Sequence, residues 1–508
     1  MAAPHRRCCR QPFLTMDPSP LVLVTGATGY IGGRLAPRLL AEGHRVRVLA
    51  RSAARVRSRS WADQVEVVEG DALDRDTLAR ALAGVDCAYY LIHSMGSGAG
   101  FHALDVDAAR LFGHAAREAG VRRIVYLGGL GDPRADLSQH LRSRQETGRA
   151  LREGGVPVTE FRAAVIVGSG SISFEMIRYL VERLPVMVCP RWVYSRVQPI
   201  AVNDVLDYLA AALSNVASAG KVVEIGGREV TTYRGMMLGY AQARGLRRWL
   251  VPVPVLTPRL SSYWVHWITP IPSGVSGPLI EGLRNEVVVT DSLARELFSE
   301  IEPRTYAEAI AEVIDDLEQG RIETAWSDAH GAPVAPDSFS RVETHEGMIF
   351  ERRMRTVAAP AREVYRVFTG IGGARGWFHA DWMWRIRGMV DRLLGGAGLR
   401  RGRRHPDALR IGDALDFWRV EALEPGRLVR LRAEMKLPGR AWLQFRTWET
   451  EDGKTQLEQT AAFLPKGLGG LLYWYGLYPV HARIFDGMAR EIARRAEAGG
   501  ASLKQVED

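Results

Sequence analysis

The chain has 508 residues, 46% hydrophobic and 25% charged, which excludes a disordered or fibrous polypeptide. Four cysteines with no CxxC pair exclude a disulfide scaffold, a zinc ribbon and a thioredoxin-type site, and point to a reducing, cytoplasmic compartment. The formal charge of +9 sits almost wholly in residues 341–508, which hold 29 Lys+Arg against 21 Asp+Glu.

Residues 1–18 are expected to be a disordered N-terminal extension, because the first 15 are basic and lack an apolar core of signal-peptide length. LVLVT (21–25) then reads as a strand and Tyr30–Glu42 as a helix. RVRVLA (45–50), VEVVEG (65–70), DCAYYLI (86–92), RIVYLG (123–128) and VPVTEFRA (156–163) read as further strands. Helical patterns lie between them at DRDTLARALAGV, His102–Ala119 and Ser138–Glu153. Strands alternating with helices imply βαβ units and a doubly wound parallel sheet of Rossmann type. Beyond Ala164 the alternation becomes irregular, with a helix entered at Thr232, a Pro- and Trp-rich stretch at 250–285 and a helix over Tyr306–Gln319. These elements place the first domain at 19–320 and a polar linker at 321–345. After the linker the pattern changes to alternating strands, preceded by a helix opened at Pro360 and closed by a long helix over Leu472–Ala498. That assigns a second, α+β domain to 346–500 and a tail to 501–508.

VTGATGYIGG (24–33) places Gly26, Gly29 and Gly32 between a strand and a helix. Gly26 permits the sharp turn, Gly29 lets backbone approach a pyrophosphate, and Gly32 lets helix and strand pack closely. The free amides of the helix N-terminus then face the anion. The second strand ends in Arg51 and Ser52 where an NAD site typically carries an acidic residue. A guanidinium there suits a 2′-phosphate, so NADP is preferred to NAD. Asp71 follows the third strand, where it either reaches the adenine or caps the next helix.

TGATGYIGG, EGDALD and YYLIHSM together resemble the atypical, NmrA-like side of the short-chain dehydrogenase/reductase superfamily over residues 20–320. LEQTAAFLPKGLGGLLYWYGLYPVHARIF resembles a C-terminal DUF2867 domain, whose helix, sheet and long final helix are similar to the START/Bet v 1-like helix-grip fold. The resemblance implies cofactor contacts from Gly26, Thr28, Gly29, Tyr30, Ile31, Gly32, Arg51, Asp71, Ala72, Leu91, His93 and Gly128. It also implies a Tyr-x-x-x-Lys pair that this chain lacks. The corresponding positions read His140 to Arg144, and no lysine precedes Lys221. His140, Arg144 and Tyr126 are therefore the catalytic candidates, with Ser94, Arg178, Arg191 and Gln198 on the substrate side.

Seven of the 13 tryptophans fall between residues 377 and 474, which suits either an ordinary core or a pocket for a hydrophobic molecule. The arginine run LRRGRRH (399–405) lacks interleaved aromatics, so nucleic acid is not expected. A solvated loop or contact with an anionic membrane surface is. The expected protein is an NADP(H)-dependent oxidoreductase for a hydrophobic small molecule held by the second domain. A non-catalytic NADP(H) sensor and a lipid-binding accessory protein at the inner face of the membrane are the alternatives.

Overall fold

The computed structural model describes residues 20–57, 59–93, 99–253, 273–319, 340–345, 347–393, 409–450 and 454–507. The expected N-terminal extension, most of the expected linker, the arginine run and Ser94 lie outside the described residues.

The first sheet comprises β1 (Leu21–Thr25), β2 (Arg45–Ala50), β3 (Glu66–Glu69), β4 (Cys87–Tyr90), β5 (Arg123–Gly129), β6 (Val158–Ala163) and β7 (Val222–Ile225). All pairings are parallel, in the order β7-β6-β5-β4-β1-β2-β3. Its central strands read as uninterrupted apolar runs because both faces are covered. Val22 and Val24 enter one core with Leu35 and Leu39 of α1 (Tyr30–Ala41). Leu21 and Leu23 enter another with Leu78 of α2 (Arg75–Leu82) and Phe112 of α3 (Ala99–Glu118). The chain steps from β1 to β2 to β3 and then returns to the other side of β1 as β4. That reversal opens a crevice at the carboxyl ends of β1 and β4, where ligands of such sheets bind.

Helix starts follow local chemistry. Ser138 caps α4 (Gln139–Glu153) by accepting from the Leu141 amide at 3.3 Å. Asp74, and not Asp71, caps α2, accepting from the amides of Asp76 and Thr77 at 3.2 and 3.3 Å.

Helix α5 (Ile172–Arg183) runs from the crevice to the second domain. Its Glu182 accepts from the Tyr240 hydroxyl (3.0 Å) and Arg244 Nε (2.7 Å), and from the Gly467 amide (2.6 Å) in the second domain. Around it Phe174, Val181 and Tyr240 share one apolar core with Met348, Trp442, Ala462 and Leu464. The two domains are therefore joined through buried side chains as well as through the chain.

The second domain is a seven-stranded antiparallel sheet. Its strands are β8 (Ser340–His345), β9 (Met348–Val357), β10 (Ala414–Leu415), β11 (Trp418–Glu424), β12 (Leu428–Ala433), β13 (Gly439–Glu449) and β14 (Thr455–Pro465). The order is β8-β9-β14-β13-β12-β11-β10. Helices α9 (Ala361–Thr369), α10 (Asp381–Leu393) and α11 (Gly467–Glu507) accompany it, where α6 (Val202–Ala211), α7 (Tyr233–Ala243) and α8 (Tyr306–Gln319) belong to the first domain. Three boundaries differ from expectation. The last six residues of the expected linker are β8, which pairs with β9 around Gly347 at φ 76°. Helix α10 was not anticipated, and α11 continues through the expected tail to Glu507. For β8, pairing with β9 supplies order that local polarity does not announce.

Candidate active site

The first turn of the crevice is built by glycines whose geometry a side chain would break. Gly26 has φ 67°, and a Cβ there would lie 2.6 Å from the Leu91 carbonyl oxygen. A Cβ on Gly32 would collide with the Gly26 carbonyl. Gly29 is the residue before α1 and no side chain caps the helix, so the amides of its first turn are left for an anion. A Cβ at Gly29 would meet only the Gly26 carbonyl oxygen, at 3.2 Å, so the approach in front of the helix is open among the described residues. This cradle fits a dinucleotide pyrophosphate. Thr28, Tyr30 and Ile31 belong to the same turn and helix start, and Leu91, the residue after β4, closes it.

Arg51 is exposed directly after β2. Arg59, which sequence reasoning missed, also reaches this turn: its Nη2 donates to the Thr28 carbonyl at 3.3 Å. The only signal for it was the repeated arginine in ARVRSRS. Asp71 is exposed after β3 and accepts from the Leu73 amide at 3.0 Å, while Ala72 is buried in the core.

Deeper in the crevice, β4 and α4 bring His93 and His140 together, with ring centroids 5.2 Å apart. His93 Nδ1 is 3.2 Å from Oδ2 of the buried Asp105 in α3. A carboxylate at that distance holds the proton on Nδ1 and leaves Nε2 with a lone pair. Nε2 is buried and has no partner among the described residues. Burial, followed by the nearby Arg144 charge, holds the His93 pKa below its ordinary value. Burial together with His93 and Arg144 pushes His140 down to about 3, so His140 is neutral at physiological pH and no proton-donating imidazolium. The sequence had offered His140 as the acid and His93 as a cofactor contact; the oriented imidazole is His93. Asp105, its orienting group, carried no signal, because only the fold brings α3 beside β4.

Tyr126 is a further correction. Its hydroxyl donates to the Arg144 carbonyl at 2.8 Å, the ring is wholly buried, and burial raises the phenol to about 12. It cannot relay a proton to the crevice. Arg144 itself donates to the Leu127 carbonyl and lies over the Tyr126 ring at 5.2 Å. Gly128, in β5, has Tyr126 and Glu160 beside it, with 3.2 Å from each to an added Cβ.

The expected substrate side changes most. Arg178 is 3% exposed and is held by Glu175, with Nε 2.9 Å and Nη2 2.5 Å from Oε2. It packs over Tyr179 and against Gly347 of the second domain, so it serves the domain junction and is not open to a substrate. Gln198 is also committed: Nε2 donates to the Gly227 carbonyl (2.7 Å) and Oε1 accepts from the Val289 amide (3.1 Å). The Arg191 side chain lies outside the described residues. The Gly/Ser turn before α5 packs against α1, where Arg34 donates to the Ser169 carbonyl at 2.8 Å.

Residues 26–160 match the NAD(P)H-binding family model, and residues 349–488 match the protein of unknown function DUF2867. A (4-alkanoyl-5-oxo-2,5-dihydrofuran-3-yl)methyl phosphate reductase of Streptomyces griseus is 33% identical over 222 residues, 42% of this chain and 70% of the relative. The chain belongs to the NAD(P)H-binding family that this relative represents. A ceramide reductase of Caulobacter vibrioides, another relative of this NAD(P)H-binding chain, is 30% identical over 249 residues, 47% of this chain and 76% of that protein. Among solved structures, the Citrobacter sp. triphenylmethane reductase complexed with NADP(H) aligns with 21% identity and a TM-score of 0.47, covering 57% of this chain and 99% of that one.

Proposed function

We propose that the protein is an NADP(H)-dependent reductase of a hydrophobic small molecule, and that its second domain, of START-like helix-grip type, holds or delivers that molecule. The observation that carries this reading is the buried His93–Asp105 pair, set in the same crevice as an uncapped phosphate cradle. The dinucleotide, when bound, supplies a hydride. The amides opening α1 would hold its pyrophosphate, and Arg51 with Arg59 its 2′-phosphate. His93 Nε2 exchanges a proton with the substrate oxygen, and Asp105 steadies the imidazolium that this requires. Arg144, tied to the Leu127 carbonyl, keeps α4 against β5 behind the pair. Relatives named for an alkanoyl-bearing furanone and for ceramide support a substrate with an acyl chain.

The purified protein is expected to consume NADPH in the presence of long-chain ketones or enones. Stoichiometric NADPH binding without consumption across such a panel would overturn the reductase reading in favour of a nucleotide sensor. Loss of a charge-assisted contact predicts that Arg51→Ala raises the NADPH dissociation constant by roughly tenfold and leaves that of NADH unchanged. Equal effects on both nucleotides in a calorimetric titration would remove Arg51 from the 2′-phosphate site.

An apolar rim favours a second reading, contact with a membrane surface. Trp382, Ile386, Met389 and Leu393 of α10 and Leu472 and Tyr475 of α11 are all exposed. Arg385 and Arg392 are exposed on α10 among them, and no acidic residue occurs between Lys466 and Phe485. Among the described residues no helix is long and apolar enough to cross a membrane, so the association would be peripheral. The protein is expected to float with vesicles containing anionic phosphatidylglycerol, and Leu472→Asp/Trp382→Asp to remain in the soluble fraction. Identical flotation of both proteins would dismiss the rim.

A further inference from the structure

The second domain carries a half-open cavity of about 440 Å³ between α10, α11 and the sheet. Its wall is almost entirely aromatic and aliphatic, and the aromatic rings form a continuous chain. Trp474 lies 5.5 Å from His481, His481 5.7 Å from Phe485, and Phe485 6.4 Å from Trp384. The volume is that of a site for a small organic molecule. Trp442 and Ala462 of the wall also belong to the core shared with the first domain, so the cavity adjoins the domain junction.

The wall carries several buried polar atoms that lack partners among the described residues. Trp384, Trp418 and Trp474 are 7%, 4% and 3% exposed, and each buries an indole N–H without an acceptor among the described residues. His481 Nδ1 is likewise buried and unpaired, and burial pushes this imidazole down to about 4, so it is uncharged at neutral pH. Trp377 shows the contrast. It packs beside Trp384 but outside the wall, and its indole donates to Asp416 at 2.8 Å. Buried donors are ordinarily satisfied, and leaving one bare costs about 1–3 kcal/mol. Several in one apolar cavity describe a site completed by an acceptor from outside the chain. Arg387, the one charged residue of the wall among the described residues, already donates to the Lys436 carbonyl at 3.3 Å and hydrogen-bonds Tyr473.

We infer that this cavity is a binding site for an uncharged apolar molecule bearing a carbonyl-type oxygen, which accepts from the indole N–H groups of the wall. This deepens the reading of the second domain given above, and rests on it only for the idea that the ligand is a substrate. The donors select for the oxygen, while the rings supply the apolar burial. A ligand of this kind is poised beside the junction that Glu182 and the shared core make with the reductase domain.

The test uses two probes of nearly equal shape, 2-acetylnaphthalene and 2-ethylnaphthalene, titrated calorimetrically into the full-length protein. The ketone is expected to bind roughly tenfold more tightly than the hydrocarbon, as one buried hydrogen bond allows. Trp418→Phe and Trp474→Phe should each lower that ratio, a readout that a purely structural role would not move. Ala461→Phe, which fills the cavity and leaves the donors, should weaken both probes. Gly29→Asp, which removes nucleotide binding, should leave both unchanged. Equal affinity for the two probes, or a ratio unmoved by both tryptophan variants, overturns the inference. Ketone binding lost in Gly29→Asp and retained in Ala461→Phe would overturn it too, and would place the ketone in the nucleotide crevice, leaving the reductase reading intact. Ketone binding without NADPH consumption would sink that reading and leave the cavity assignment standing.

Discussion

Gly29→Asp raises the NADPH dissociation constant at least about a hundredfold, because two charge-assisted amide contacts of roughly 1.5–3 kcal/mol each are lost. The new carboxylate takes the α1 amides for itself and repels the diphosphate that they would otherwise hold. The fold should not suffer. Gly29 has φ −85° and ψ −178°, extended backbone that any residue adopts, and an added Cβ is tight only against the Gly26 carbonyl. Aspartate is moreover a preferred residue at a helix N-cap. The expected outcome is a protein of unchanged or slightly higher melting temperature that no longer binds nucleotide. Retained NADPH affinity in a calorimetric titration would show that the cradle is not the pyrophosphate site. Gly26→Ala is a poorer test, since φ 67° and the Leu91 carbonyl would strain the turn itself.

His93→Gln should lower turnover by about 10²–10⁴-fold, the usual contribution of a positioned acid or base, with NADPH affinity unchanged. The pH dependence has a definite sign. Burial holds the His93 pKa below its ordinary value of 6.5, so the imidazole is mostly neutral at pH 7. Reduction needs the imidazolium, so the wild-type reductive rate rises as pH falls toward that lowered pKa. Oxidation needs the lone pair on Nε2, so its rate holds level near neutrality and falls only below the same pKa. The glutamine variant loses both dependences. Asp105→Asn removes the carboxylate that favours the charged form, lowering the His93 pKa further and moving the rise in reductive rate to lower pH. A variant at His93 that kept its turnover and its pH slope would remove the pair from the chemistry. His140 is not a substitute donor, since its own pKa lies near 3.

The phosphate turn was legible from residues alone because its requirements are local. Gly26 must reach a positive φ and Gly32 must let the turn meet the helix, and both demands are written in ten consecutive residues. Strand positions were legible because burial on two faces leaves an uninterrupted apolar run, as in LVLVT. The proposed catalytic pair was half legible. His93 lies at the end of a strand that any such sheet directs to the crevice, but Asp105 reaches it from a helix 12 residues on, by packing. The arginines were least legible. Arg178 sits in a segment expected to face substrate, yet the second domain covers it and Glu175 holds it. Arg59, which carried no distinct signal, turned out to touch the phosphate turn.

The second domain divides in the same way. Its alternating strands and its excess of tryptophan are properties of the sequence, and they announced an antiparallel sheet with a large aromatic interior. Which tryptophans keep a partner and which stand bare around a cavity depends on where Asp416 falls relative to each ring, and only the assembled sheet sets that. By itself the amino-acid sequence determined the parallel sheet, the nucleotide cradle and the missing Tyr-x-x-x-Lys pair, because each is a matter of neighbouring residues and their periodicity. Only the tertiary structure decided which titratable groups meet, which are neutralised and which are sealed between domains. Burial and charge act through space, between residues far apart along the chain.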